Sequence, residues 1–224
     1  MTRLITICSC GLVALLMATS CIVSDQVTTL IIKPDGSADV IVTRSNIHFR
    51  GNEQKRAEEL KAFRNKFNNQ EQWWFERIEG AGGRIEEARW IKKTEPMAHY
   101  IRGALPGRNE LEQLLSLEQK DNKWNLTSDF RTDGSNRELL IRISPPKEKE
   151  LSVPSDEAER MRQQLANRIS HTRIAVVKGE ITDATGFIVA DDGQSALLDR
   201  SAFPDTLWTR NETITISLQW TVNT

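Results

Sequence analysis

Three Asp-Gly dipeptides, Asp35-Gly36, Asp133-Gly134 and Asp192-Gly193, each sit between runs that alternate or are rich in Val, Ile and Thr. Asp tolerates turn geometry and Gly supplies positive φ, so a chain punctuated in this way doubles back into antiparallel hairpins. Val27 to Lys33 and Ala38 to Phe49 flank the first turn, Pro34-Asp35-Gly36-Ser37. Trp124 to Arg131 and Glu138 to Ser144 flank the second, and Gly186 to Ala190 and Ser195 to Leu198 flank the third. Arg84 to Lys93 and Met97 to Leu105, separated by Glu95-Pro96, read as a further hairpin. The cleanest amphipathic strand is Glu212 to Val222, with Ile214, Ile216, Leu218, Trp220 and Val222 on one side. Asp-Gly turns are common, so the shared dipeptide is read as shared turn chemistry rather than as an internal repeat.

Between the hairpins the period changes. Leu60, Phe63, Phe67, Trp74 and Ile78 fall on one helical stripe within Asn52 to Glu79, with Asn68-Asn69 as a break and Gly80, Gly82 and Gly83 as the stop. A short helix is predicted between Asn109 and Gln119. Another follows Ser155, with Ala158, Met161, Leu165 and Ile169 on its apolar face, after the polar connection Pro145 to Glu150. The expected fold class is therefore α+β: an antiparallel sheet built from successive β-hairpins, with about three helices packed on one face.

The first 21 residues, MTRLITICSCGLVALLMATSC, place one basic residue, Arg3, before an apolar run from Leu4 to Met17, then the small residues Ala18, Thr19 and Ser20 before Cys21. That is the layout of a secretory signal with a small-residue cleavage site. With a cysteine directly after the site it resembles the lipobox of bacterial lipoproteins, although Ala18 stands where Leu is usual. The resemblance implies lipidation of the Cys21 thiol, removal of residues 1–20 and acylation of the new amino terminus. The uncharged span Leu4 to Val23 is also long enough for a membrane helix, but Thr19-Ser20 and the flanks fit processing better. All three cysteines, Cys8, Cys10 and Cys21, lie in this stretch, so the processed chain keeps no thiol for a disulfide or a metal. Residues 21–26 are expected as a short tether, and 27–224 as a single α+β domain, large enough to bury a core without disulfides. The segment Lys33-Pro34-Asp35-Gly36-Ser37-Ala38 is similar to the hairpin that follows the lipidated cysteine in β-rich lipoprotein domains of the LppM type.

Chemistry is sparse in the remainder. The histidines, His48, His99 and His171, lie in or beside separate predicted strands, and there is no HExxH or CxxC, so no metal and no role is assigned to them. A calcium loop from Asp129 fails, because Arg131 and Leu140 occupy ligand positions. No GxSxG or phosphate-binding glycine loop is present, and Glu58-Glu59 and Glu86-Glu87 sit among compensating cations as solvated faces. No catalytic residue and no cofactor is expected. With 30 Lys+Arg against 31 Asp+Glu, nothing points to nucleic acid. The one feature above this background is Trp73-Trp74-Phe75, whose side chains diverge on a helix. With Trp74 on the apolar stripe, Trp73 and Phe75 become the candidate contact patch for lipid or a protein.

These readings describe a lipoprotein held to the outer face of a membrane by Cys21. The outer membrane is favoured in a Gram-negative cell, because Ile22 is not the aspartate that resembles an inner-membrane retention signal. The domain is expected to act without catalysis, as a binding or adaptor module with an envelope protein as partner. Its rivals are a lipid or small-molecule carrier with a cavity between sheet and helices, and a hydrolase with dispersed carboxylates.

Overall fold

Strand β1 (Cys21–Ile32) and strand β2 (Ala38–Arg50) put Leu30, Ile32, Ala38, Val40 and Val42 on one face, and all five are buried. Alternation drives the pairing, and the turn fixes its register. Ser37 donates from both its N–H and its hydroxyl to Asp35 Oδ1, at 3.0 and 2.7 Å, and these bonds hold the Asp35 carboxyl below its ordinary range. The computed structural model describes residues 21–50, 53–118, 125–144, 172–198 and 213–223 of the 224-residue chain. The signal stretch, the connection 145–150, the helix predicted over 155–169, His171 and Phe203-Pro204 lie outside the described residues.

Helix α1 (Glu53–Asn68) is followed by α2 (Trp73–Gly80). The break falls at Asn69 and Gln70, where Gln70 takes φ +60°. Gln70 N–H reaches Phe67 O at 3.1 Å and Glu71 N–H reaches Lys66 O at 2.7 Å, the paired bonds that satisfy the last carbonyls of a helix. Gly82, at φ +83°, ends α2 by the same device, with Gly83 N–H on Ile78 O at 2.9 Å. Strands β3 (Arg84–Lys92) and β4 (Met97–Leu105) then extend the first hairpin, with β4 paired to β2. Ile78 lies directly on β4 at Gly103, where an added Cβ would meet Ile78 Cγ2 at 2.8 Å.

Helix α3 (Arg108–Leu115) leads to a two-residue strand β5 (Leu117–Glu118), then to the hairpin of β6 (Asn125–Asp133) and β7 (Asn136–Ser144). The remaining strands are β8 (Thr172–Val176), β9 (Gly179–Thr185), β10 (Phe187–Val189), β11 (Ser195–Leu198) and β12 (Ile214–Val222). They form two sheets: sheet A in the order β10-β11-β8-β1-β2-β4-β3, and sheet B in the order β5-β6-β7-β12-β9.

This corrects the expected α+β class. The described residues are mostly β, their strands divide between a seven-stranded and a five-stranded sheet, and among them helices do not cover one face of a single sheet. Nor is the pairing purely antiparallel, since β8 lies parallel to β1, with Leu30 opposite Ile174. The reason is non-local pairing: β8 joins the edge of the first hairpin, while β12 inserts between β7 and β9. Leu139, Ile141, Ile216, Leu218 and Trp220 of sheet B join Leu30, Val40 and Ile174 of sheet A in one continuous core. Both sheets bury an apolar inner face against each other, which a sheet covered only by helices would not do. The tether expected at residues 21–26 is also absent, because β1 begins at Cys21 and Ile22 already pairs with Phe49.

Candidate functional site

The inner face of sheet A is apolar in its middle and polar in one row. Across β1, β2, β4 and β3, residues Gln26, Arg44, His99 and Trp90 stand in register, next to the apolar row Thr28, Val42, Ile101 and Ala88. Arg44 therefore occupies the position that alternation reserves for a core side chain after Val40 and Val42. His99 does the same between Met97 and Ile101, and it is 1% exposed.

His99 is roofed by α1. Phe67 lies 4.6 Å from its ring centre, Phe63 6.0 Å and Trp90 5.8 Å. Neither ring nitrogen has a partner among the described residues. Burial, with the Arg44 charge adding to it, pushes the imidazole down to about 4. The ring is thus neutral at ordinary pH and too enclosed to serve as a proton shuttle.

Beyond Arg44 the inner face opens into a cleft of about 370 Å³. Its floor is Gln26, Thr28, Leu30 and Arg44, with Thr172 of β8 at the side. Helix α2 contributes Trp73, Trp74 and Arg77, and Leu114, Leu115 and Leu126 close the far wall. Two ties hold these walls. Arg77 donates to the carbonyls of Gln113, Leu114 and Ser116, neutralising the negative end of α3. Glu112 accepts Phe130 N–H at 2.8 Å through Oε1 and Ser128 Oγ at 2.7 Å through its carbonyl, pinning α3 to β6.

Among the described residues the lining carries no carboxylate. Arg44 donates from Nε to Ser24 Oγ at 2.7 Å and its guanidinium lies 5.5 Å from the Phe63 ring centre. Among the described residues Lys33, Arg56, Arg84, Arg89, Arg102 and Arg131 make ion pairs, whereas neither Arg44 nor Arg77 does. Burial lowers the pKa of both cleft arginines from the ordinary arginine value. Trp74 Nε1–H has no acceptor among the described residues. The arrangement offers hydrogen-bond donors and positive charge beside apolar and aromatic surface.

Of the residues singled out in the sequence, Trp73 is 47% exposed at this cleft and packs edge-on against Trp74 at 4.6 Å. Phe75 is fully buried in the core beside Phe67, so it belongs to no contact surface. His48 meets the Asn46 carbonyl at 2.8 Å. Cys21 is placed only as the first residue of β1. Arg44 and His99 were not singled out, although each breaks the apolar phase of its strand. A second, wider depression of about 910 Å³ on sheet B contains acids, but Asp129 and Glu138 are held by Arg131 at 2.8 and 3.5 Å. Among the described residues no three His, Cys, Asp or Glu side chains stand close enough to hold a metal ion, and no helix is long and apolar enough to cross a membrane.

No protein-family model and no curated protein matches the chain in sequence. Among solved structures it is similar to the folded domain of LppM from Mycobacterium tuberculosis, determined by NMR, at 11% identity and a TM-score of 0.40, over 90% of this chain and 91% of that one.

Proposed function

We propose that this chain is an envelope lipoprotein, anchored through Cys21, whose folded part acts without catalysis by holding an amphiphilic molecule in the cleft between sheet A and helices α2 and α3. The cleft itself carries this reading. Its volume of about 370 Å³ falls within the range of small-molecule sites, and it combines apolar walls with a few convergent polar groups. The anchoring part rests on the signal layout and on the absence of a tether. Gln26 and Thr28, on the cleft floor, are five and seven residues along β1 from Cys21, or roughly 16–23 Å at strand spacing. A lipid-anchored Cys21 would therefore hold the cleft close to the bilayer surface, on the outer membrane where the cell has one.

Native mass spectrometry of the mature protein, gently extracted from its own membrane, tests the binding reading. A retained lipid-sized ligand is the expected result. The half-exposed Trp73 at the rim favours a second reading, an adaptor that seats a partner protein, and a retained protein would point there instead. Recovery of the bare monomer every time would count against both. Anchoring is tested separately: a Cys21→Ala variant is expected to lose labelling with radioactive palmitate completely, and persistent labelling would overturn the lipid anchor.

A further inference from the structure

An arginine inside a cleft needs a reason to be there, since burial weakens its hydration and no counter-ion meets Arg44 among the described residues. Arg77 has such a reason, because its guanidinium caps the carbonyls at the end of α3. Arg44 has, among the described residues, only a neutral partner, Ser24, and an aromatic neighbour, Phe63. Among the described residues no carboxylate lines the cleft, and Trp74 on its wall has an N–H without an acceptor. The site is rich in donors and lacks the acceptors that would satisfy them from within the described residues. A planar guanidinium beside apolar surface is weakly hydrated and matches the oxygen pairs of a carboxylate or phosphate. A positive charge in a partly desolvated cleft attracts an anion more strongly than the same charge at a water-facing surface.

We infer that Arg44 is the anion-recognising residue of the cleft, and that the bound amphiphile carries a phosphate or carboxylate head with its apolar chain against Trp73, Leu114 and Leu126. This rests on the amphiphile-binding reading above and adds the charge class of the ligand. Arg44 receives the head, and Arg77 contributes charge from the α2 side without leaving its carbonyls. The phase break in β2 thereby acquires a role: an apolar residue at position 44 would extend the core, whereas arginine converts the end of the core into a polarised site.

The test uses the full-length chain, released in octyl glucoside and presented with an equimolar mixture of dodecyl phosphate and dodecyl maltoside, with adducts counted by native mass spectrometry. The wild-type chain is expected to carry dodecyl phosphate in at least tenfold excess over dodecyl maltoside. Arg44→Gln is expected to bring that ratio to within about threefold through loss of dodecyl phosphate adducts, and Arg44→Lys to restore part of the preference. Equal occupancy in the wild-type chain, or an unchanged preference in Arg44→Gln, overturns the anion assignment and leaves the amphiphile reading standing. Failure of both surfactants to bind overturns the two together. In a parallel run, inorganic phosphate alone is expected to give no adduct at the same concentration. A phosphate adduct as abundant as that of dodecyl phosphate would show a site for a free anion and overturn the assignment of an amphiphile head.

Discussion

Phe75→Ala is expected to lower the stability of the folded chain by about 3–5 kcal/mol, the usual cost of emptying a fully buried phenylalanine site. Phe75 is 0% exposed and meets Phe67 edge-on at 5.7 Å, at the junction where α1 hands over to α2. Its loss removes the contact that holds both helices to the same part of sheet A. For a chain of this size the change corresponds to a fall in melting temperature of roughly 10 °C. Trp73→Ala, two residues earlier, is expected to cost only about 1 kcal/mol, because half of that side chain is already in water. Denaturant unfolding of the two variants side by side decides the matter. Comparable losses would mean that Trp73 is a core residue and that the cleft rim has been misplaced.

The contrast between these neighbours shows where sequence reading stopped. The stripe Leu60, Phe63, Phe67, Trp74 and Ile78 presumes one continuous helix phase. The positive φ of Gln70 ends α1 and resets that phase, so α2 takes its direction from Ile78 alone. Three residues before Ile78 comes Phe75, and four before comes Trp74; the buried pair is Phe75 and Ile78, with Trp74 at the edge. Turn chemistry was legible in the same local way, at Asp35, at Asp133 and at Asp192, where Gln194 and Ser195 N–H groups bind the carboxylate at 2.9 and 3.0 Å. Neighbour choice between distant strands was not. Alternation in β12 states which side chains face the core, but nothing in Ile214 to Val222 states that β7 and β9 lie on its two sides. The division into two sheets follows from those pairings, and so does the site. Arg44 and His99 each announce a phase break in their own strand, yet only the register of β2 on β4 brings them together.

His99 makes the polar row measurable through its effect on stability. In the unfolded chain its imidazole takes a proton near the ordinary value of 6.5, and in the folded chain only near about 4, because burial and then Arg44 oppose the charge. Above the higher value both states are neutral and the group leaves stability unaffected. Between the two values the unfolded chain alone binds the proton, so stability falls as pH falls through this window. Below the lower value both states are charged and the loss is complete. At 1.36 kcal/mol per pKa unit, the loss comes to about 3 kcal/mol. Asp35, Asp39, Glu95 and Asp192 have lowered pKa values and contribute losses of their own only at lower pH, as each carboxylate is forced to protonate. The windows adjoin, so the comparison must be with a variant in which only the histidine is silent. His99→Leu keeps an apolar side chain under Phe63 and Phe67 and removes two ring nitrogens that are buried without partners, an exchange that is close to neutral or favourable at pH 7. Urea midpoints measured from pH 7.5 to pH 4 are expected to fall steeply for the wild-type chain and to stay nearly flat for His99→Leu down to about pH 5. Parallel curves for the two chains would mean that His99 binds its proton equally well folded and unfolded, and that α1 does not seal the row against water.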